Sequence, residues 1–195
     1  MACVRRIVLL CAVAVAVALP STAAAMSFPR TYRGTVTGSQ RASGSLGEFH
    51  YTWTIRGLVL RRTHTFHGKH GWSAPYKTVA GSVSFHARVT GSCTGKASLR
   101  FKLRPDSFIG PTAVGLVVSP SGRSRMHSYF WTIRRGWEIK LRCEETSGLN
   151  GMSLPNLFDP GAKRWPPSGP AVGTRMVNLR GADYNRWHWD LQAQG

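Results

Sequence analysis

The sequence predicts an all-β protein, an antiparallel β-sandwich or flattened β-barrel built as a single domain. Three observations carry that prediction. Several stretches alternate apolar with polar residues at a period of two, no segment of similar length shows a helical period, and glycines punctuate the alternating stretches at hairpin spacing. A period of two places one side of each strand in a core and the other in solvent.

The chain opens on a different kind of segment. Arg5 and Arg6 precede an apolar run from Ile7 to Leu19, which Pro20 and Ser21 close before Ala23, Ala24 and Ala25. A short positive region, an apolar run and small residues at the cleavage position make residues 1–25 a Sec-type signal peptide. The run has thirteen residues, short of the roughly 20 a bilayer span needs. Leu10 precedes Cys11 where lipid attachment needs a small residue. The expectation is a secreted or cell-wall-associated protein, with residues 26–195 as one domain and no transmembrane segment after cleavage. A chain of that length can bury roughly 70% of its unfolded surface.

The first alternating stretch sets Phe49, Tyr51, Trp53 and Ile55 against His50, Thr52, Thr54 and Arg56. Residues 63–78 read as a short irregular segment that carries His64, His67, His70 and Trp72. Next, Val83, Phe85, Ala87 and Val89 alternate with Ser84, His86 and Arg88, and counting on by twos reaches Cys93. Leu99, Phe101 and Leu103 alternate with Arg100, Lys102 and Arg104. Trp137, Ile139 and Leu141 alternate with Glu138, Lys140 and Arg142, and the same count reaches Cys143. Near the end Trp187, Trp189 and Leu191 alternate with Arg186, His188 and Asp190.

Tyr51, Trp53, Thr54, Ile55, Arg56 and Gly57 match Tyr129, Trp131, Thr132, Ile133, Arg134 and Gly136 in order, with Arg135 inserted. Either an internal duplication or two hairpins solving one packing problem accounts for the match. Residues 144–174 hold five Pro and five Gly, a connection far longer than the usual one. Leu154, Leu157, Phe158 and Trp165 are too apolar for a plain linker, so this loop is expected to pack back on the sheet.

Cys3 and Cys11 leave with the signal peptide, so Cys93 and Cys143 are the two cysteines of the mature chain. In an oxidising compartment that pair reads as one disulfide. Closing a loop of about 50 residues contributes roughly 4 kcal/mol on the chain-entropy account. Both cysteines fall on the apolar parity of their stretches, which fits a bond formed inside the fold.

Charge is the loudest compositional signal. Of 26 Lys and Arg, Arg5 and Arg6 depart with the signal peptide, leaving 24 against eight acids, a net +16. Such an excess attracts anionic partners and releases their counterions. Arg100, Lys102 and Arg104 point one way from one strand, and Lys140 and Arg142 from another. In one sheet they would form a cationic patch. Their other role is to solvate an outer face and blunt strand edges.

Few residues offer other chemistry. His64, His67 and His70 recur every third residue and are weak metal-ligand candidates, because Gly68 and Gly71 oppose a helix that would align them. Glu138, Glu144 and Glu145 form the closest carboxylate cluster, too thin a set for paired-carboxylate hydrolysis. No nucleophile elbow or zincin motif is present, and no motif asks for a cofactor. Trp53, Trp131, Trp137, Trp187 and Trp189 have core parity, whereas Trp72 and Trp165 lie in irregular segments and are the candidate surface contacts. Export argues against a nucleic acid as physiological target.

The expected function is therefore that of a secreted, non-catalytic protein associating with anionic cell-envelope or extracellular polymers through a cationic sheet face. The alternatives are a small-ligand carrier with an apolar barrel interior and, more remotely, a secreted hydrolase.

Overall fold

The computed structural model describes residues 27–105, 114–119, 123–128, 142–143, 156–161, 165–166 and 168–195. The signal segment, residues 129–141 with the second copy of the repeated motif, and the carboxylates Glu138, Glu144 and Glu145 lie outside the described residues.

What is described is β-structure. The strands are β1 (Thr31–Gly44), β2 (Gly47–Arg62), β3 (Phe66–Gly68), β4 (Gly71–Thr90), β5 (Cys93–Leu103), β6 (Val114–Val118), β7 (Ser124–Ser128), β8 (Arg142–Cys143), β9 (Ala171–Asn178) and β10 (Tyr184–Gln194). They form one curled antiparallel sheet, a half-barrel, in the order β7-β6-β4-β2-β1-β10-β9. The long strand β4 holds the sheet together. One edge of it pairs with β2 along most of its length, while the other takes β6 over Trp72–Tyr76 and β5 over Gly81–Val89. Among the described residues no helix is long and apolar enough to cross a membrane.

The five alternating stretches become strands where they are described, with the expected parity. Tyr51, Trp53, Ile55, Val83, Phe85, Val89, Trp187, Trp189 and Leu191 are buried on the concave face. That face is shaped by complementary large and small residues. Gly38 of β1 stands opposite both Trp53 and Trp187, and a Cβ there would lie 2.1 Å from the Trp53 indole. Gly173 of β9 stands opposite Trp189, and a Cβ there would lie 2.6 Å from that ring. The glycines leave the space that the indoles fill, so neither member of a pair can enlarge without displacing the other.

Residues 156–161 and 165–166 close the hollow. The Trp53 Nε1–H donates to the Leu157 carbonyl at 2.8 Å and the Trp187 Nε1–H to the Asn156 carbonyl at 2.9 Å. Trp165 stacks on Trp189 with ring centres 5.9 Å apart and donates its own N–H to the Tyr32 hydroxyl at 3.2 Å. Arg175 of β9 forms an ion pair with Asp159. Leu157, Phe158 and Trp165 are all buried. The described part of the long loop therefore packs back on the sheet, as expected.

Three boundaries differ from the sequence reading. Residues 63–78 are not an irregular segment. Only Thr63–Thr65 and the turn residues Lys69 and His70 lie outside a strand, and β3 and β4 form a hairpin around that turn. Gly71 makes this possible with φ +103° at a place where a Cβ would meet the Val118 carbonyl oxygen at 2.1 Å. Cys93 does not continue the 83–89 strand, because a turn at Gly91 (φ +122°) and Ser92 reverses the chain and Cys93 opens β5. The long loop ends sooner than residue 174, since β9 begins at Ala171. Its alternation was hidden by Gly173 and Arg175 at inward positions.

A cationic outer face as candidate functional site

The concave face holds the core, so ligands available to the strands meet the convex face. Its composition follows from register. Because β4 and β5 pair Val83 with Phe101 and Phe85 with Leu99, their outward residues also stand in pairs: Ser82 with Lys102, Ser84 with Arg100, His86 with Ser98, and Arg88 with Lys96. On the other side of β4, Arg56 of β2 stands opposite Ser82 and His50 opposite Arg88.

Arg88, Lys96, Arg100 and Lys102 are exposed. Among the described residues, no carboxylate makes an ion pair with any of them; the ion pairs there join Glu48 to Arg41 and His50, and Asp159 to Arg175. Arg88 directly across from Lys96 is a like-charge pair, an arrangement that costs a sheet roughly 0.2–1 kcal/mol. The small hydroxyl residues between the cations leave them accessible.

The structure places the sequence-derived candidates as follows. Arg100 and Lys102 lie together on this face. Arg104 is exposed just beyond the end of β5 and does not extend the strand row. Arg142 is exposed on β8 opposite Thr94 of β5, so it joins the same face at its far edge. Lys140 lies outside the described residues. Arg88, Lys96 and Arg56 complete the face and were not singled out from sequence. The outward parity of Arg88 was the available signal, but Gly95 and Ala97 weaken the alternation around Lys96.

The other half of the convex face settles its own charges. Arg41 of β1 donates to Glu48 of β2 at 2.6 Å, and His50 lies 3.2 Å from the second oxygen of the same carboxylate. The hydrogen bond from Arg41, then that from His50, holds the Glu48 carboxyl below its ordinary range. Asp183 accepts from the Ser43 backbone N–H at 3.0 Å and the Ser43 hydroxyl at 2.8 Å, and these bonds lower its pKa, the backbone bond foremost. Arg186 lies over the Tyr184 ring.

The two remaining candidate groups are the irregular-segment tryptophans and the histidines. Trp165 is no surface contact: it is 1% exposed, because its indole is the lid residue over Trp189. Trp72 is half-buried at the edge of the core, with the His67 ring 4.6 Å away. His64, His67 and His70 do not converge. His64 stacks on Phe66, whereas His67 pairs across the hairpin with Trp72. Among the described residues no three His, Cys, Asp or Glu side chains are grouped to hold a metal ion.

Buried tyrosines are shifted as well. Burial pushes the Tyr51 hydroxyl up to about 12 and raises Tyr32 and Tyr76 as well. They remain neutral hydrogen-bonding groups of the core, with Tyr76 donating to the Pro29 carbonyl at 2.8 Å. No protein family, no curated protein and no solved structure matches this chain.

Proposed function

We propose that the chain is an exported, non-catalytic protein that associates with anionic cell-envelope or extracellular polymers through the outward face of β4 and β5. One observation carries the reading: Arg88, Lys96, Arg100 and Lys102 share a face, none of them is ion-paired to a carboxylate among the described residues, and two of them stand directly opposite each other. Unneutralised like charges oppose folding, and a polyanion laid across them turns that repulsion into attraction and releases its own counterions. The guanidinium groups add forked contacts suited to carboxylate or phosphate.

Export by a signal peptide over residues 1–25 belongs to the same proposal, as does a Cys93–Cys143 disulfide. The register supports the bond by setting these residues opposite each other where β5 meets β8. Mass analysis of non-reduced peptides should find the pair linked. The half-barrel is read as the larger part of a flattened barrel, with the alternating segment 137–142 supplying further sheet. The carrier alternative is disfavoured by the loop, since Leu157, Phe158 and Trp165 occupy the hollow that a small apolar molecule would need.

Retention of the protein on immobilised polygalacturonate, beside a neutral glucan, tests the reading. Substituting Arg100, Lys102 and Arg104 by Ser should reduce retention at low salt at least tenfold, and the neutral column should retain neither protein. Equal retention of both proteins on the anionic polymer would overturn the assignment.

A further inference from the structure

The cationic row does not end with Arg56 and Lys102. Both β2 and β4 are irregular past this point, with register shifts between Arg56 and Leu60. Beyond the irregularity the convex face resumes with Lys77 of β4 directly opposite Arg61 of β2. Both are exposed, and among the described residues neither makes an ion pair with a carboxylate. This second like-charge pair lies on the same long strand as the first. Continuing along β4 by twos from Lys77 passes Pro75 and reaches Ser73, whose partner across the hairpin is Phe66.

Phe66 is the feature that a purely electrostatic surface does not need. It is 53% exposed in a hairpin whose other strand packs against the core through Trp72, Ala74 and Tyr76. Its ring lies 5.6 Å from that of His64, nearly parallel at 27°. The stacked pair stands at the end of the cationic row, with Lys69 and His70 exposed in the adjoining turn. From Ser73 to Lys77 is four residues, roughly 13 Å of strand.

We infer that the anionic polymer is a carbohydrate, an acidic polysaccharide whose sugar ring packs on the exposed side of Phe66 while its carboxylates or sulfates follow Lys77, Arg61 and the β4–β5 cations. The inference rests on the cationic-face reading and adds what selects among polyanions. The face of a pyranose presents polarised C–H bonds, which meet the negative face of an aromatic ring. A chain of phosphates has no such face, and for it an exposed aromatic ring is an obstacle to solvation. The serines between the cations, Ser82, Ser84 and Ser98, offer hydroxyl partners to sugar hydroxyls on the same row.

Affinities of the protein, and of its Phe66→Ala and Phe66→Trp variants, are measured at low salt for polygalacturonate and for long-chain polyphosphate. Phe66→Ala should weaken polygalacturonate binding about tenfold, Phe66→Trp should retain it, and both variants should bind polyphosphate within twofold of the parent. Because polyphosphate binding reports on the cations alone, it shows that the variants are folded. If the parent binds both polymers and Phe66→Ala leaves both affinities unchanged, or lowers them equally, the carbohydrate assignment is wrong while the cationic face stands. If the parent binds neither polymer, the cationic-face reading itself falls, and this inference with it.

Discussion

The same strands present two faces built on opposite rules. On the concave face glycines make recesses for large rings: Trp53 fills the space left by Gly38, which also stands opposite Trp187, and Trp189 fills the space left by Gly173. Their indole N–H groups are matched too, since Trp53 and Trp187 donate to consecutive carbonyls of the covering loop. On the convex face of β4 and β5, Arg88 faces Lys96 and among the described residues neither is ion-paired to a carboxylate, and farther along β4 Lys77 faces Arg61. Complementarity on one face and its absence on the other separate what stabilises the fold from what is left open for a partner. The surface around β1 sharpens the contrast, because there Glu48 of β2 and Asp183, just before β10, each accept from neighbouring β1 donors.

Breaking the concave face should have the largest effect. Gly38→Val places methyl groups inside the Trp53 indole, and overpacking of this kind costs about 3 kcal/mol. The urea midpoint should fall accordingly; an unchanged midpoint would mean that the recess is not required. Trp53→Phe keeps most of the ring but leaves the buried Leu157 carbonyl without its donor. It should cost about 1–3 kcal/mol, with faster amide exchange over residues 157–161. Equal exchange in both proteins would show that the bond does not hold the loop.

The convex face should respond with a smaller effect of the opposite sign. Lys96→Glu replaces a like-charge pair with an attractive one and should raise stability by about 0.2–1 kcal/mol at low salt, a gain that added salt erodes. The same variant should bind polygalacturonate more weakly. A variant that lost stability would argue that Arg88 and Lys96 already have another way of relieving their repulsion.

The smallest expected effect lies in the self-satisfied half. The Glu48 carboxyl is held below its ordinary range by Arg41 and His50. Its contribution to stability is therefore present above the unfolded-state pKa and is lost as pH falls through the lower folded value. Carbon-detected NMR should place the Glu48 titration below that of a free glutamate, and Arg41→Ala should move it upward. A midpoint indifferent to Arg41 would remove the ion pair from this account.

These pairings also explain which parts of the molecule were legible in the sequence. The strands with Phe49–Ile55, Val83–Val89, Leu99–Leu103 and Trp187–Leu191 carry their large residues inward, so alternation revealed them. β1 and β9 carry the complementary small residues, Gly34 and Gly38 in one and Ala171 and Gly173 in the other. A period-two search for apolar residues passes over such strands, because their inward positions are defined by a neighbour's bulk. The hairpin of β3 and β4 was missed for a related reason: its glycines serve the turn and a close approach to Val118, which from sequence resemble loop punctuation.

The candidate site was legible in kind but not in extent. Arg100 and Lys102 could be read from strand parity alone. Lys96 and Arg88 become a pair, and Arg56 a neighbour, only once register sets the strands side by side. Trp165 was misplaced because burial of a loop tryptophan depends on what it covers, here Trp189 and Tyr32, distant in sequence.

The central claim is that the convex cations of β4 and β5 are a polyanion-binding face. Its most direct test is the salt dependence of polygalacturonate affinity for the protein and for a variant with Arg88, Lys96, Arg100 and Lys102 all changed to Ser. The parent should lose affinity steeply and linearly in log salt, and the variant's slope should be shallower by about 3, near 0.7–0.9 for each cation that engages an anion. Equal slopes for the two proteins would show that these four residues do not meet the polymer, and would contradict the account.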